Sequence, residues 1–254
     1  MTRKILPPIL LFFSALVLWE GGVRLFDVQQ FLLPAPSVIA GAFQENFDRL
    51  VFVGWFTTKE AIGGFVIGCI SGIVVALATA RWTTASETLL PFAIAANSVP
   101  IIAFAPIVNN WFGVDNPLSK MIIVAVIIFF PMMINTVRGL TLVDPAQLEL
   151  MRSYAASEWE ILRKVRLPNA LPYMFNAFKV AAALSMIGAV VSEYFGGNRS
   201  ALGIYITQEA AQFRFANAWA AIIIACIVGV TFYLIVLLFE RVTIPWHSSV
   251  RGSS

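Results

Sequence analysis

The chain has 254 residues, of which 59% are hydrophobic and 12% charged, with a formal net charge of +3 and a mean hydropathy of +0.83. Soluble domains carry about 25% charged residues, so this composition excludes an ordinary soluble domain and describes an integral membrane protein. Its 21 Phe and 7 Trp suit a bilayer, where aromatic rings pack and mark the interfaces.

The N-terminus, MTRK followed by ILPPILLFFSALVLW, has the outline of a signal peptide, but the next residues, EGGVRLF, offer no small-residue cleavage site. An uncleaved first span is therefore expected over 5–26. A spanning helix needs about 20 mostly apolar residues, and five further segments qualify: 60–80, 88–109, 118–137, 173–195 and 217–240. Between the first two, Pro34 and Pro36 argue against a span. Val38, Ile39, Ala42, Phe43, Phe47, Leu50 and Val51 recur at helical spacing, which predicts an amphipathic helix over 37–53, on the outer interface or packed on the bundle.

The second span carries Gly64, Gly68, Gly72, Ala76 and Ala80, and the fifth Ala177, Ala181, Ser185 and Ala189. Small residues at every fourth position let helix backbones approach closely in lipid, either as fixed packing or as a sliding contact. The third span is interrupted by Pro91, Pro100 and Pro106, with Asn97 and Ser98 between them and Asn109 and Asn110 beyond. Backbone groups freed by proline at membrane depth either line a cavity or are satisfied within a kinked helix. Asn97, Ser98, Asn109 and Asn110 are candidates for a translocation path, and Pro131 with Asn135 raises the same question in the fourth span. Lys179 and Glu193 stand out as ionisable groups near membrane depth. Lys179 can snorkel to the inner face, and Glu193 belongs either at the mouth of a pathway or at a plain interface. Trp219 and Trp246 fit interface anchors. Cys69 and Cys226 lie in apolar runs and imply no disulfide.

Lys and Arg mark the cytoplasmic side. With both ends inside, the inner set is Arg3, Lys4, Arg81, Arg138, Arg152, Arg163, Lys164, Arg166, Lys179, Arg241 and Arg251. The smaller outer set is Arg24, Arg49, Lys59, Lys120, Arg199 and Arg214. The polar island 138–172 is then cytoplasmic. Within it, Asp144-Pro145 is a helix start, with Asp as cap and Pro at the first helical position. Ser157 with Glu160 three residues on is a capping box. The island reads as helix, turn, helix, with Tyr154-Ala155-Ala156 at the turn and a second helix over 158–166 that ends at Leu167-Pro168. An apolar face would include Leu148, Met151, Trp159, Leu162 and Val165, and the tip at Tyr154, Ala155, Ala156, Ser157 and Trp159 suits insertion into a partner's groove.

The spacing in this island resembles the EAA loop of binding-protein-dependent ABC transporter permeases, which reads E-A-A, three residues, G, nine residues, I-x-L-P. Glu149-Leu150-Met151 occupies the E-A-A position, Ala155 the Gly, and Val165-Arg166-Leu167-Pro168 the end. Glu149, Leu167 and Pro168 match, while Ala155 departs at a position where Gly tolerates positive φ cheaply. The chain is also similar to the nitrate/sulfonate/taurine/bicarbonate permease subfamily at Leu33-Pro34-Ala35-Pro36, Pro100 to Pro106, Trp111-Phe112-Gly113, Lys120, Phe130-Pro131, Asn135, Gly139 and Leu202-Gly203. The segment Ser192-Glu193-Tyr194-Phe195-Gly196-Gly197 resembles permeases for thiamine-pyrimidine precursors or riboflavin in that group.

The resemblance implies an all-α polytopic permease with about six spans in one domain over 1–254, with a core at 60–240. It implies ATPase coupling through Glu149, Tyr154, Ala155, Ala156, Ser157, Trp159, Leu167 and Pro168, and a second permease subunit, as a homodimer. Two cytoplasmic ATPase subunits that bind the ATP and an extracytoplasmic solute-binding protein complete the set, with no cofactor, metal or nucleic acid on this chain. There is no G-x-x-x-x-G-K-[ST] to cradle a nucleotide. The single His, His247, rules out H-E-x-x-H and His-based triads, so no catalytic residue is expected. A stand-alone secondary transporter or channel is the competing expectation; it would show internal repeats and charged midplane sites, and neither is evident.

Overall fold

A computed structural model describes residues 2–79 and 91–245. Ala80, Arg81, the first residues of the expected third span, Trp246, His247 and Arg251 lie outside the described residues. The described residues are helical, without strands: α1 Thr2–Leu25, α2 Pro36–Glu45, α3 Phe47–Thr79, the described part of α4 Pro91–Asn97, α5 Ala105–Phe112 and α6 Pro117–Thr141. Then come α7 Pro145–Ser153, α8 Glu158–Ile161, α9 Leu167–Glu193, α10 Leu202–Ala211 and α11 Phe215–Thr243.

Five helices are long and apolar enough to cross a membrane, and a sixth span is formed if the bent pair Pro91–Asn97 and Ile101–Phe112 counts as one. The pair bends by 68°, with a 3₁₀ turn at Ile101–Phe104 directly after Pro100. Proline here does what its missing N–H dictates: it ends one helix and lets another start in a new direction.

The core is built around α6, which packs along α3 on one side and α9 on the other. The glycine stripe of α3 makes the first contact possible. A Cβ on Gly64 would lie 2.4 Å from Val124 Cβ, and one on Gly68 would lie 2.6 Å from the Ala125 carbonyl oxygen. Ala177, Ala181, Ser185 and Ala189 of α9 are all fully buried. The small residues are thus consumed by close backbone packing within one chain.

Three expectations are corrected. The helix expected over 37–53 is two elements: α2 ends at Asn46, whose amide donates to the Ala42 carbonyl at 2.9 Å, and α3 begins at Phe47. Residues 47–59 belong to the long helix of the second span, because Glu60 is buried there by distant partners rather than left at a boundary. The helix expected to stop at Leu167-Pro168 does not stop. Leu162–Arg166 forms a π turn that runs into α9, and Glu158–Glu193 is one continuous helical segment of 36 residues. Pro168 directly follows this π turn, where the helical hydrogen-bond ladder is already irregular. The outer loop after Glu193 contains a helix, α10, that the sequence reading passes over.

The helix α1 is the least buried of the five long apolar helices: 6% of its most apolar stretch is buried. Trp19 and Trp219 meet edge to face, their rings 5.2 Å apart, so Trp219 joins α1 to α11 rather than standing as an interface anchor. Ser37 Oγ and backbone N donate to the Glu20 carboxylate at 2.8 and 3.0 Å, and Arg24 Nε donates to it at 2.6 Å.

Candidate functional site

Two assemblies stand out, one at each end of the bundle. The first is the hairpin of α7 and α8. Asp144 accepts a hydrogen bond from Ala146 N at 3.0 Å and Pro145 opens α7. Ser157 Oγ accepts from Glu160 N, while the Glu160 carboxylate accepts from Ser157 N at 3.0 Å, a closed capping box that starts α8. Between them Ala155 stands in the left-handed region at φ 52°. This is the position where the family motif has Gly, and the turn keeps that geometry with Ala in it. The conformation costs a non-glycine residue about 1–2 kcal/mol.

The base of the hairpin is fastened to the spans. Asn169 Nδ2, in the first turn of α9, donates to the carbonyls of Gly139 and Leu142 at 2.8 and 2.9 Å, satisfying the end of α6. A Cβ on Gly139 would lie 2.6 Å from Ala170 Cα, so the two helices touch backbone to backbone there. Ile161 is buried and Leu148, Met151, Leu162 and Val165 are half-buried. Trp159, expected on the covered face, is 66% exposed, and Tyr154 is 76% exposed. Its packing face is instead taken by Ile161, two residues on. Glu149, Ala155 and Ser157 are exposed, Ala156 half-buried, and Leu167 and Pro168 half-buried at the base. The structure brings Glu149, Tyr154, Ala155, Ala156, Ser157 and Trp159 onto one protrusion, with Leu167 and Pro168 where it joins α9.

The pathway candidates are not brought together. Asn97 and Ser98 are exposed at the break between α4 and the 3₁₀ turn, and the Ser98 hydroxyl donates to the Ile94 carbonyl at 3.3 Å. Asn135 is half-buried in α6, and its amide donates to the Pro131 carbonyl at 2.8 Å. Asn110 is exposed.

Glu193 belongs to the second assembly, a buried polar cluster. It is 0% exposed, with Glu60 of α3 at 3% and Lys120 of α6 at 1%. Lys120 Nζ donates to Asn109 Oδ1 at 2.8 Å, to the Val114 carbonyl at 2.7 Å and to Ser119 Oγ at 3.2 Å. Asn109 Nδ2 in turn donates to the Phe195 carbonyl at 3.3 Å. Glu193 accepts from Gly203 N at 2.6 Å, and Leu202 N donates to Thr57 Oγ1 at 2.9 Å. Six segments converge: α3, α5, the 113–116 loop, α6, the end of α9 and the start of α10. In the sequence Lys120 stands out as an outer charge and as a position shared with the subfamily, and Glu60 does not stand out. The fold brings together positions far apart in the chain, which no local pattern reveals. Lys179, expected to snorkel, forms a part-buried ion pair with Glu240 of α11 at 2.8 Å. Among the described residues, no group of three or more His, Cys, Asp or Glu could hold a metal ion.

Residues 64–246 match the family model described as binding-protein-dependent transport system inner membrane component. The riboflavin transport system permease protein RibX of Chloroflexus aurantiacus is 31% identical over 238 residues, 92% of this chain and 87% of its own. The formylaminopyrimidine transport permease protein ThiX of Halalkalibacterium halodurans is 28% identical over 95% of this chain and 96% of its own. A crystal structure of an amino acid ABC transporter with histidines has the same fold: its TM-score is 0.61 at 19% identity, over 78% of this chain and 95% of that one. The apolar helices, the protruding hairpin and these likenesses agree: the chain is a multi-pass membrane protein and belongs to the binding-protein-dependent ABC transporter permeases.

Proposed function

We propose that this permease forms the translocation pathway of an importer and is driven through its cytoplasmic hairpin by separate ATPase subunits. The supporting observation is the hairpin itself: a tip with Tyr154 and Trp159 exposed, on a base clamped to α6 and α9 by Asn169. Two exposed aromatic side chains on either side of a tight turn are the kind of group that fills a pocket on a partner and carries much of the binding energy. Glu149, Ala155, Ala156 and Ser157 surround it, and Leu167 and Pro168 pass the motion to α9.

In this reading a second copy of the chain completes the pathway, two ATPase subunits bind the ATP, and an extracytoplasmic binding protein delivers the solute. Both termini lie in the cytoplasm, and the whole of 1–254 acts as one permease unit in the cell membrane. Alternating access follows when the ATPase dimer closes and the hairpins move apart or together. Asn97 and Ser98, exposed at the broken span, together with Asn135 and Glu193, are the residues offered for the path. The solute class favoured by the relatives' names is a nitrogen heterocycle of the riboflavin or pyrimidine-precursor kind. A small anion such as a sulfonate or taurine is the other class the sequence resembles.

Co-purification from the native membrane tests the core of this. An ATPase chain is expected to remain bound to the wild-type permease in detergent and to be lost from Tyr154→Ala/Trp159→Ala. Solute uptake by the permease expressed without any ATPase would overturn the reading in favour of a secondary transporter or channel. Binding of labelled heterocycles and sulfonates to the solute-binding protein of the same system separates the two solute classes.

A further inference from the structure

The buried cluster at the far end from the hairpin has an unbalanced inventory. Glu60 and Glu193 are each at least 97% buried and their carboxyls are in hydrogen-bond contact with one another. One oxygen of each, Oε2 of Glu60 and Oε1 of Glu193, is buried without a hydrogen-bond partner among the described residues, and the Thr57 hydroxyl lies beside the Glu193 carboxyl. Among the described residues the cation beside them is Lys120, whose three protons are all committed to neutral oxygens of Asn109, Val114 and Ser119. Two ionised carboxylates and one ammonium would leave one uncompensated negative charge inside a bundle, together with two acceptors facing without a hydrogen between them. Both conditions are costly in a low-dielectric interior.

We propose that Glu60 and Glu193 form a proton-binding site, a carboxyl pair that holds one proton between its two oxygens. The proton supplies the missing donor and makes the cluster neutral, as carboxyl pairs in contact do elsewhere because like charges at that distance cannot both persist. A metal cation does not fit: two free oxygens are far short of the six to eight a hard cation takes, and an ammonium already occupies the adjacent space. The charged and titratable groups around the pair are Lys120 from α6, Asp115 from the preceding loop, acting through Lys120, and Tyr194 beside Glu193. Gly203 allows the pair to exist in this place. Its backbone N reaches Glu193 Oε2 because no side chain intervenes, and a Cβ there would lie 2.8 Å from Glu193 Cβ. The bound proton thereby holds α3, α9 and α10 together at this end of the bundle. This inference concerns the folded permease and does not depend on the ATPase reading.

Infrared spectroscopy on the purified full chain in lipid nanodiscs at neutral pH provides the test. The wild type should show the carbonyl stretch of a protonated carboxylic acid, shifted in D₂O and shifted again by ¹³C-labelled glutamate. Glu60→Gln and Glu193→Gln should each abolish that band, with thermal stability retained in Glu60→Gln, whose amide replaces the proton as donor, and reduced in Glu60→Ala. A wild type without the band overturns the proposal with no variant needed. A band that survives in both Gln variants, or a wild-type melting temperature raised by sodium but not by potassium, also overturns it.

Discussion

At the scale of single residues, two positions carry more strain or constraint than their size suggests. Ala155 holds φ 52° in the turn of the hairpin. Ala155→Gly removes that strain and is expected to be tolerated. Ala155→Val places a β-branched residue in the left-handed region and should destabilise the turn by about 1–2 kcal/mol. Limited trypsin digestion reads this directly, since Arg152 and Arg163 flank the tip: cleavage there should be faster in Ala155→Val than in the wild type. Gly203 is constrained by contact rather than by φ. A methyl group at 203 would sit 2.4 Å from the Val190 carbonyl oxygen and push the Glu193 bond apart. Gly203→Ala should cost about 1–3 kcal/mol or more, seen as a lower melting temperature in detergent.

The residues whose roles were legible from sequence are those with local partners. Asp144, Ser157 and Glu160 cap helices within three residues of themselves, and Pro100 breaks the span where it stands. Glu60 and Lys120 were not legible, because their partners come from other helices. A charge next to Lys59 looks like the end of a span until Lys120 and Glu193 are seen beside it. The pairing of Trp219 with Trp19 escaped for the same reason.

At the scale of elements, the α3–α6 seam decides the packing of the bundle. Gly68 faces backbone across that seam at 2.6 Å, whereas nothing lies within 4 Å of a Cβ built on Gly41 of α2. The same chemical change should therefore have opposite signs. Gly68→Ala is expected to destabilise by about 1–3 kcal/mol through overpacking, and Gly41→Ala to stabilise by about 0.5–1 kcal/mol, the ordinary gain in an open helix interior. Melting temperatures of the two purified variants compare them; equal shifts would mean that the seam is looser than the structure has it. The glycine spacing was visible in sequence as a reason for close approach, but not which helix it met. The fusion of α8, the π turn and α9 was hidden by Pro168, which reads as a stop although it directly follows the π turn inside a continuous helical segment.

At the scale of the whole molecule, the hairpin and the Glu60–Glu193–Lys120 cluster lie at opposite ends, which gives the orientation a simple test. Phe213, 74% exposed between α10 and α11, lies at the cluster's end and Tyr154 at the hairpin's end, which the proposed orientation makes the outer and the inner end. A membrane-impermeant thiol reagent applied to intact cells should label Phe213→Cys, and should label Tyr154→Cys only after permeabilisation. The reverse pattern would invert the topology. A count of five spans among the described residues, or six with the bent pair, was within reach of hydropathy alone. The low burial of α1 was not, since an apolar helix reads alike whether it is packed or bare.

The continuous helix from Glu158 to Glu193 has a mechanical consequence. Thirty-six residues at a rise of 1.5 Å make a rod of roughly 54 Å, longer than the roughly 30 Å of hydrocarbon it crosses. One end carries Trp159 and the other carries Glu193, so a lever arm joins the protruding tip to the buried carboxyl pair with a single gear change, the π turn at Leu162–Arg166. Tightening that turn to ordinary winding at unchanged length would turn Trp159 around the axis relative to α9, whereas deleting its one extra residue would restore ordinary winding with Trp159 kept in phase.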